Sequence, residues 1–321
     1  MNKKTATSLL SIVALSAIAL TGCASGGSTG AAATGSAATG SGKGAELAGL
    51  TGDVGGKDFS EQYILANITS QLMNAHGATT KANTTVVGSA NVRTALESDA
   101  FLGYWEYSGT SWITYNGNTK PVVGVRAQFD ATKAADAKKG IAWLDPAPLN
   151  NTYAFAILSD KAKSLGVKSL SDIAKLPVSE QTFCIESEFS TRDDGWPGLK
   201  KAYGITVPDS NVSMLDTGVI YTTTAKGGTC NFGEVFQTDG RITALNLTVM
   251  ADDKAFFPVY QGAFTLKQTT LDKYPGIAAI MAEISPMLTT EEMQVLNAKA
   301  DVDGEAPADI AKAWLTEKGL I

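Results

Sequence analysis

The chain has 321 residues, 44% of them hydrophobic and 18% charged, with 26 lysines and arginines against 32 aspartates and glutamates. This is the composition of a globular protein long enough for about two cores, not of a disordered, collagen-like or multiply membrane-spanning chain. The acidic balance argues against a nucleic-acid partner, because no basic stripe is available to neutralise phosphates. A single histidine, His76, excludes a histidine-rich metal site and makes any catalytic triad depend on that residue.

Lys3 and Lys4 precede an almost wholly apolar stretch from Leu9 to Leu20. That stretch is short for a membrane span and suits the apolar core of a secretory leader. Leu20-Thr21-Gly22-Cys23 resembles the bacterial lipobox, in which small residues admit the signal peptidase and the cysteine thiol receives a diacylglyceryl group. The expectation is a signal peptide over 1–22, lipidation at Cys23, and a flexible tether within 23–47. Ala24 to Gly44 is built almost only of Gly, Ala, Ser and Thr and cannot form a core. The body would then be lipid-anchored on the extracytoplasmic face of the cell membrane. That location weakens readings that need ATP or NAD, and no Gly-rich phosphate loop follows a strand. In an oxidising compartment Cys184 and Cys230 are expected to pair as a disulfide, two buried thiols being the alternative.

Along the body, Ile64, Ile68 and Leu72 recur at helical spacing, so 61–75 reads as a helix with Ser60 as its cap. Strands are predicted at 84–88 and 101–103, with a helix over 92–97 between them and another starting at Thr110 or Ser111. Further strands are predicted at 154–158, 182–185, 231–236 and 245–250, and short helices at 169–175 and 198–203. Three helices close the chain at 277–284, 291–297 and 308–318, the second capped by Thr290. Alternation of strands and helices implies α/β units with a parallel-dominated sheet in each of two lobes.

Few residues stand out chemically. His76 ends the first helix and reads as a dipole partner or surface residue. Arg93, Arg126 and Arg241 read as surface or turn residues, and the acidic pairs as solvated faces. Arg192 differs, lying in the loop Thr191-Arg192-Asp193-Asp194-Gly195 just after a strand, where α/β lobes present ligand groups. Tyr107, Tyr153, Phe236 and Tyr260 also fall at or near predicted strand ends; spacing alone does not separate a pocket from a core.

From about Gly56 to Ile321 the chain resembles the glycine betaine/carnitine/choline-binding proteins of osmoprotectant ABC importers. The matching stretches include Lys57-Asp58-Phe59-Ser60-Glu61-Gln62, Glu106-Tyr107-Ser108-Gly109-Thr110 and Asn150-Asn151-Thr152-Tyr153-Ala154. Phe189 to Gly195, Thr238 to Ile242 and Asp252 to Tyr260 continue the match. The resemblance implies an α/β, two-lobed type II periplasmic-binding-protein fold with a ligand cleft between lobes, and no catalysis, cofactor or metal. Lobe one would be 48–150 plus 258–321 and lobe two 151–257. Tyr107, Tyr153, Phe236 and Tyr260 would box a quaternary ammonium, and Lys57, Thr110 and Arg192 would hold a carboxylate. The partners implied are a small quaternary ammonium ligand and an ABC permease with its ATPase.

These roles fit the chemistry. A trimethylammonium has no N–H donor, so ring faces must select it, at roughly 0.5–2 kcal/mol each. Arg192 suits a bidentate carboxylate contact, and Lys57 precedes a helix N-terminus, which favours an anion further. Phe236 stands where the family commonly has tyrosine, and Thr110 where its choline-restricted members carry an acid. Threonine with Arg192 suits a zwitterion, so glycine betaine or a related betaine is the expected ligand. Choline, carnitine, ergothioneine or another trimethylammonium compound is the alternative. A secreted hydrolase would need a partner for His76, and an adhesion lipoprotein would bind no small ligand saturably.

Overall fold

The computed structural model describes residues 44–321. The predicted leader, Cys23 and the tether up to residue 43 lie outside them. The folded body begins before the expected end of the tether. Leu47 is fully buried, and its N–H donates to the His76 carbonyl at 3.0 Å. His76 is itself buried, with Nδ1 3.1 Å from Glu46 Oε2, so the one histidine fastens the incoming chain to the end of the first helix.

Among the described residues ten strands form two sheets: β1 (Thr51–Gly55), β2 (Thr79–Asn83), β3 (Gly103–Tyr107), β4 (Ile141–Trp143), β5 (Tyr153–Leu158), β6 (Phe183–Ile185), β7 (Val212–Met214), β8 (Phe232–Phe236), β9 (Leu247–Val249) and β10 (Gly262–Lys267). The first sheet has the order β2-β1-β3-β10-β4 and the second β7-β6-β8-β5-β9. The architecture is therefore α/β with two lobes, one per sheet.

The sheets are mixed: in each, four strands run the same way, in line with the expected parallel-dominated sheet, and one runs against them. β10 runs antiparallel to β3 and β4, and β5 runs antiparallel to β8 and β9. Both strands enter by a connection from the other sheet, so each arrives from the opposite end without the helical crossover that a parallel neighbour requires. The two connections are themselves paired. Asn150 bridges Gln261, the Asn151 N–H donates to the Tyr260 carbonyl at 3.1 Å, and the Tyr260 N–H donates to Asn150 Oδ1 at 2.8 Å.

Helix Ser60–Ala75 buries Ile64, Leu65, Ile68 and Leu72 and packs against helix Pro307–Glu317, which contributes Ile310 and Trp314. Its N-cap is Phe59; Ser60 instead donates to Asp301 at 2.6 Å. Likewise Thr289, not Thr290, caps helix Thr290–Asp301, and Thr290 accepts the Asn150 N–H. In both cases a tertiary partner takes the hydroxyl that the local signal had assigned to a cap. Other boundaries also move. The strand expected at 84–88 lies at Thr79–Asn83, and that expected at 101–103 is Gly103–Tyr107. Ser108–Thr110 is one helical turn that runs into a π-helical turn over Ser111–Tyr115.

Cys184 and Cys230 are joined as a disulfide that bridges 46 positions within the second sheet's lobe. Two arginines read as surface residues are structural. Arg93 is buried on Asp136, with Nη1 2.9 Å from Oδ2, and Arg241 stacks 4.2 Å from the Tyr221 ring centroid.

Candidate functional site

A cleft of about 1050 Å³ opens between the two sheets. Of the seven expected ligand residues, Lys57, Tyr107, Thr110, Tyr153, Phe236 and Tyr260 line it, while Arg192 sits behind the wall. Strand pairing explains the convergence. Tyr153 opens β5 and Phe236 closes β8, and the two are direct cross-strand partners, their ring centroids 5.3 Å apart. Tyr260 comes from the return connection and meets Tyr153 edge-to-face, at 5.3 Å and 87°. Tyr107 closes β3 on the opposite side.

Phe59, not assigned a role from the sequence, completes this arrangement. Its ring lies 5.3 Å from Phe236 and 6.3 Å from Tyr107, so it links the two sides of the aromatic wall. Phe189 and Phe257 back Tyr153 at 4.9 and 6.2 Å. Burial pushes the phenols of Tyr107, Tyr153 and Tyr260 well above their ordinary range, so all three are neutral rings. A close-packed Gly109 seats Tyr260: a Cβ there would stand 2.9 Å from that ring.

The hydroxyls of Tyr107 and Tyr260 have partners that fix their rings. The Tyr107 hydroxyl donates to Glu61 Oε1 at 2.5 Å and accepts from Gln62 Nε2 at 2.9 Å. Glu61 is a second residue with no local signal of a role in the sequence. It is buried, and its carboxylate also accepts from Asn151 at 3.0 Å and Asn297 at 3.2 Å. Asn297 in turn donates to the Thr238 carbonyl at 2.9 Å, so this one acid gathers groups from both lobes. Burial raises the Glu61 carboxyl above the usual carboxylate range despite these donors.

The cationic residues are already paired. Lys57 Nζ donates to Glu106 Oε1 at 2.6 Å and lies 5.0 Å from the Tyr107 ring centroid. The Tyr104 and Tyr115 hydroxyls donate to the other Glu106 oxygen, at 2.6 and 3.0 Å. Arg192 gives Nε and Nη2 to the two oxygens of Asp194, at 2.8 and 2.6 Å, and Nη1 to Glu188 at 2.7 Å. The fork expected for a ligand carboxylate is thus filled by protein carboxylates. Its guanidinium carbon stands 5.6 Å from the Tyr153 ring centroid, behind the cage. Gly195 makes the loop tight enough for this: a Cβ there would fall 2.1 Å from the Phe189 carbonyl oxygen.

The lining is acidic: Asp58, Glu186, Glu188 and Asp216 share it with Lys57. Burial, and next the Glu188 charge, push the Glu186 carboxyl up to about 7. Burial opposes the Glu188 charge too, but Arg192 and then Lys57 hold that carboxyl below the usual range. Among the described residues no group of three or more His, Cys, Asp or Glu side chains is placed to hold a metal ion, and no helix is long and apolar enough to cross a membrane.

Residues 53–317 match the family model described as the substrate binding domain of an ABC-type glycine betaine transport system. A glycine-betaine-binding protein of Pseudomonas aeruginosa is 34% identical over 276 residues, covering 84% of this chain and 88% of the relative. An ergothioneine transport permease/ergothioneine binding protein of Helicobacter pylori is 32% identical over 82% of this chain and 47% of its own length. Among solved structures, a glycine betaine/carnitine/choline ABC transporter protein superposes with a TM-score of 0.70, at 25% identity, over 84% of this chain and 99% of its own. With its two-lobed periplasmic-binding-protein fold and its cleft between the sheets, the chain belongs to the family of substrate-binding domains of ABC-type glycine betaine transport systems.

Proposed function

We propose that this chain is an extracytoplasmic receptor that captures a quaternary ammonium osmolyte, glycine betaine or a related betaine, and delivers it to an ABC permease and its ATPase. The observation that carries the reading is the set of neutral rings Tyr107, Tyr153, Phe236 and Tyr260 lining one cleft between two lobes. Neutral ring faces attract a cation that cannot donate a hydrogen bond. A ligand touching both lobes favours the closed arrangement, which a permease can distinguish from the open one.

In this reading lobe one is 48–150 plus 258–321 and lobe two 151–257, a division supported by the membership of the two sheets. Thr110 serves the ligand's carboxylate at the cleft, and Lys57 and Arg192 join it when the ligand displaces the protein carboxylates that they hold. Cys23 carries the lipid that holds the receptor at the membrane. The chain acts as a receptor and not as an enzyme. His76, the one histidine, packs against Glu46 at the far end of helix Ser60–Ala75 and does not line the cleft.

A second reading takes choline, carnitine or another trimethylammonium compound as ligand; of these choline, which has no carboxylate, is favoured by one observation: Lys57 and Arg192 are both engaged by protein carboxylates. Calorimetric titration with glycine betaine, carnitine and choline tests the proposal. The expected result is saturable one-to-one binding, weakened about tenfold or more by Tyr153→Leu. No binding of any of the three would refute it.

A further inference from the structure

Glu188 connects the two sides of the cleft. It sits in the loop after β6, four residues before Arg192. One of its carboxylate oxygens accepts from Arg192 Nη1 at 2.7 Å, and the other accepts from the backbone N–H of Ser89 at 3.0 Å. Ser89 opens helix Ser89–Glu97, which belongs to the lobe of the first sheet. A guanidinium on one oxygen and a helix-terminal N–H on the other is the environment that a ligand's own carboxylate would seek. Asp194 takes the rest of the Arg192 fork, and Glu106 takes the Lys57 ammonium. Every strong anion-receiving group at this end of the cleft therefore already holds a protein carboxylate.

We propose that Glu188 is a specificity-determining residue that occupies the ligand-carboxylate position, so that the cleft prefers quaternary ammonium alcohols to quaternary ammonium carboxylates. The proposal rests on the cage and on the second reading above, with choline as the ligand, in which Lys57, Thr110 and Arg192 hold no ligand carboxylate; it assigns how the far end of the caged molecule is read. A hydroxyl end enters without displacing anything and can donate to Glu188 or Glu186. A carboxylate end must expel Glu188 from both Arg192 and Ser89, and it leaves that charge beside Glu186 in a partly buried wall. Removing the Glu188 charge would free Arg192 Nη1 and the Ser89 N–H for a zwitterion.

The test is calorimetric titration of the full-length protein, wild type and the variants Glu188→Gln and Glu188→Ala, with choline and with glycine betaine. The two ligands share the trimethylammonium group and differ at the other end. Thermal melts confirm that each variant is folded. The wild type is expected to bind choline about tenfold or more tightly than glycine betaine. Both variants are expected to shift the ratio of the two constants by about tenfold or more toward glycine betaine, chiefly by tightening its binding. A wild type that prefers glycine betaine, or a ratio that stays within about twofold in both variants, overturns the assignment of Glu188 while leaving the cage intact. A wild type that binds neither ligand overturns the cage reading and this assignment together.

Discussion

The Tyr260 hydroxyl donates to Asp194 Oδ2 at 2.6 Å, the same oxygen that accepts Arg192 Nη2 at 2.6 Å. A ring of the proposed cage is thereby tied to the acid that orients the arginine behind it. Asp194 is buried, so its loss would strand a buried guanidinium and a buried phenol. Asp194→Ala is expected to lower stability by about 3–5 kcal/mol, the usual cost of breaking a buried ion pair from one side. Asp194→Asn, which keeps an acceptor, should cost less. Urea unfolding of the two variants measures both; equal stability of Asp194→Ala and the wild type would show that the contact contributes nothing.

Phe236 is only half-buried, so its ring can be changed with less damage to the core than that of Tyr153. Phe236→Leu is expected to weaken binding of a trimethylammonium ligand about 2- to 30-fold, the loss of one cation–π face of roughly 0.5–2 kcal/mol. Phe236→Tyr keeps that face and should restore most of the affinity. Titration of the two variants side by side separates the contribution of the ring from that of the hydroxyl.

Glu186 gives the stability a defined pH dependence. Its carboxyl is raised from 4.5 to about 7 in the folded protein, so between those values the folded state binds more protons than the unfolded state. Its contribution is present in full below about pH 4.5 and is lost as pH rises through about 7. Relative to Glu186→Gln, the wild type should therefore lose stability between pH 5 and pH 8, by about the same sign and window in denaturant and thermal melts. A difference that stays flat over that interval would mean that Glu186 is ionised throughout it. Because Glu186 lines the cleft, a bound cation should favour its ionised form, and affinity should rise with pH over the same interval.

The disulfide between Cys184 and Cys230 bridges 46 positions inside one lobe, joining β6 to the start of β8. Reduction, or the double change Cys184→Ala and Cys230→Ala, is expected to lower stability by about 2–4 kcal/mol by releasing that loop in the unfolded chain. Ligand affinity should change little, since neither cysteine lines the cleft. Denaturation with and without reductant, followed by titration below the transition, checks both statements.

By itself the sequence determined the parts of this protein that depend on local pattern and on the order of motifs. The apolar spacing of Ile64, Ile68 and Leu72 placed the first helix, and the apolar run after Tyr153 placed the interior strand β5, because one-sided and two-sided burial leave different periods in the chain. The family motifs, taken in order, picked out the four rings that the fold brings to one cleft. The polar strand β2 leaves little trace in the sequence, where the run Thr84 to Gly88 reads as the strand instead. An edge strand with half-exposed residues carries little hydrophobic signal, and Val87 lies exposed at the cleft. Tertiary structure alone decided the state of the charges. Lys57 meets Glu106 across 49 positions, and Ser89 meets Glu188 across 99. Such pairs leave no periodicity, since a buried charge is matched by whichever opposite charge the packing brings within reach. The same holds for Phe59 and Glu61: their places between the lobes follow from how the two sheets face each other, which no local window of the chain records.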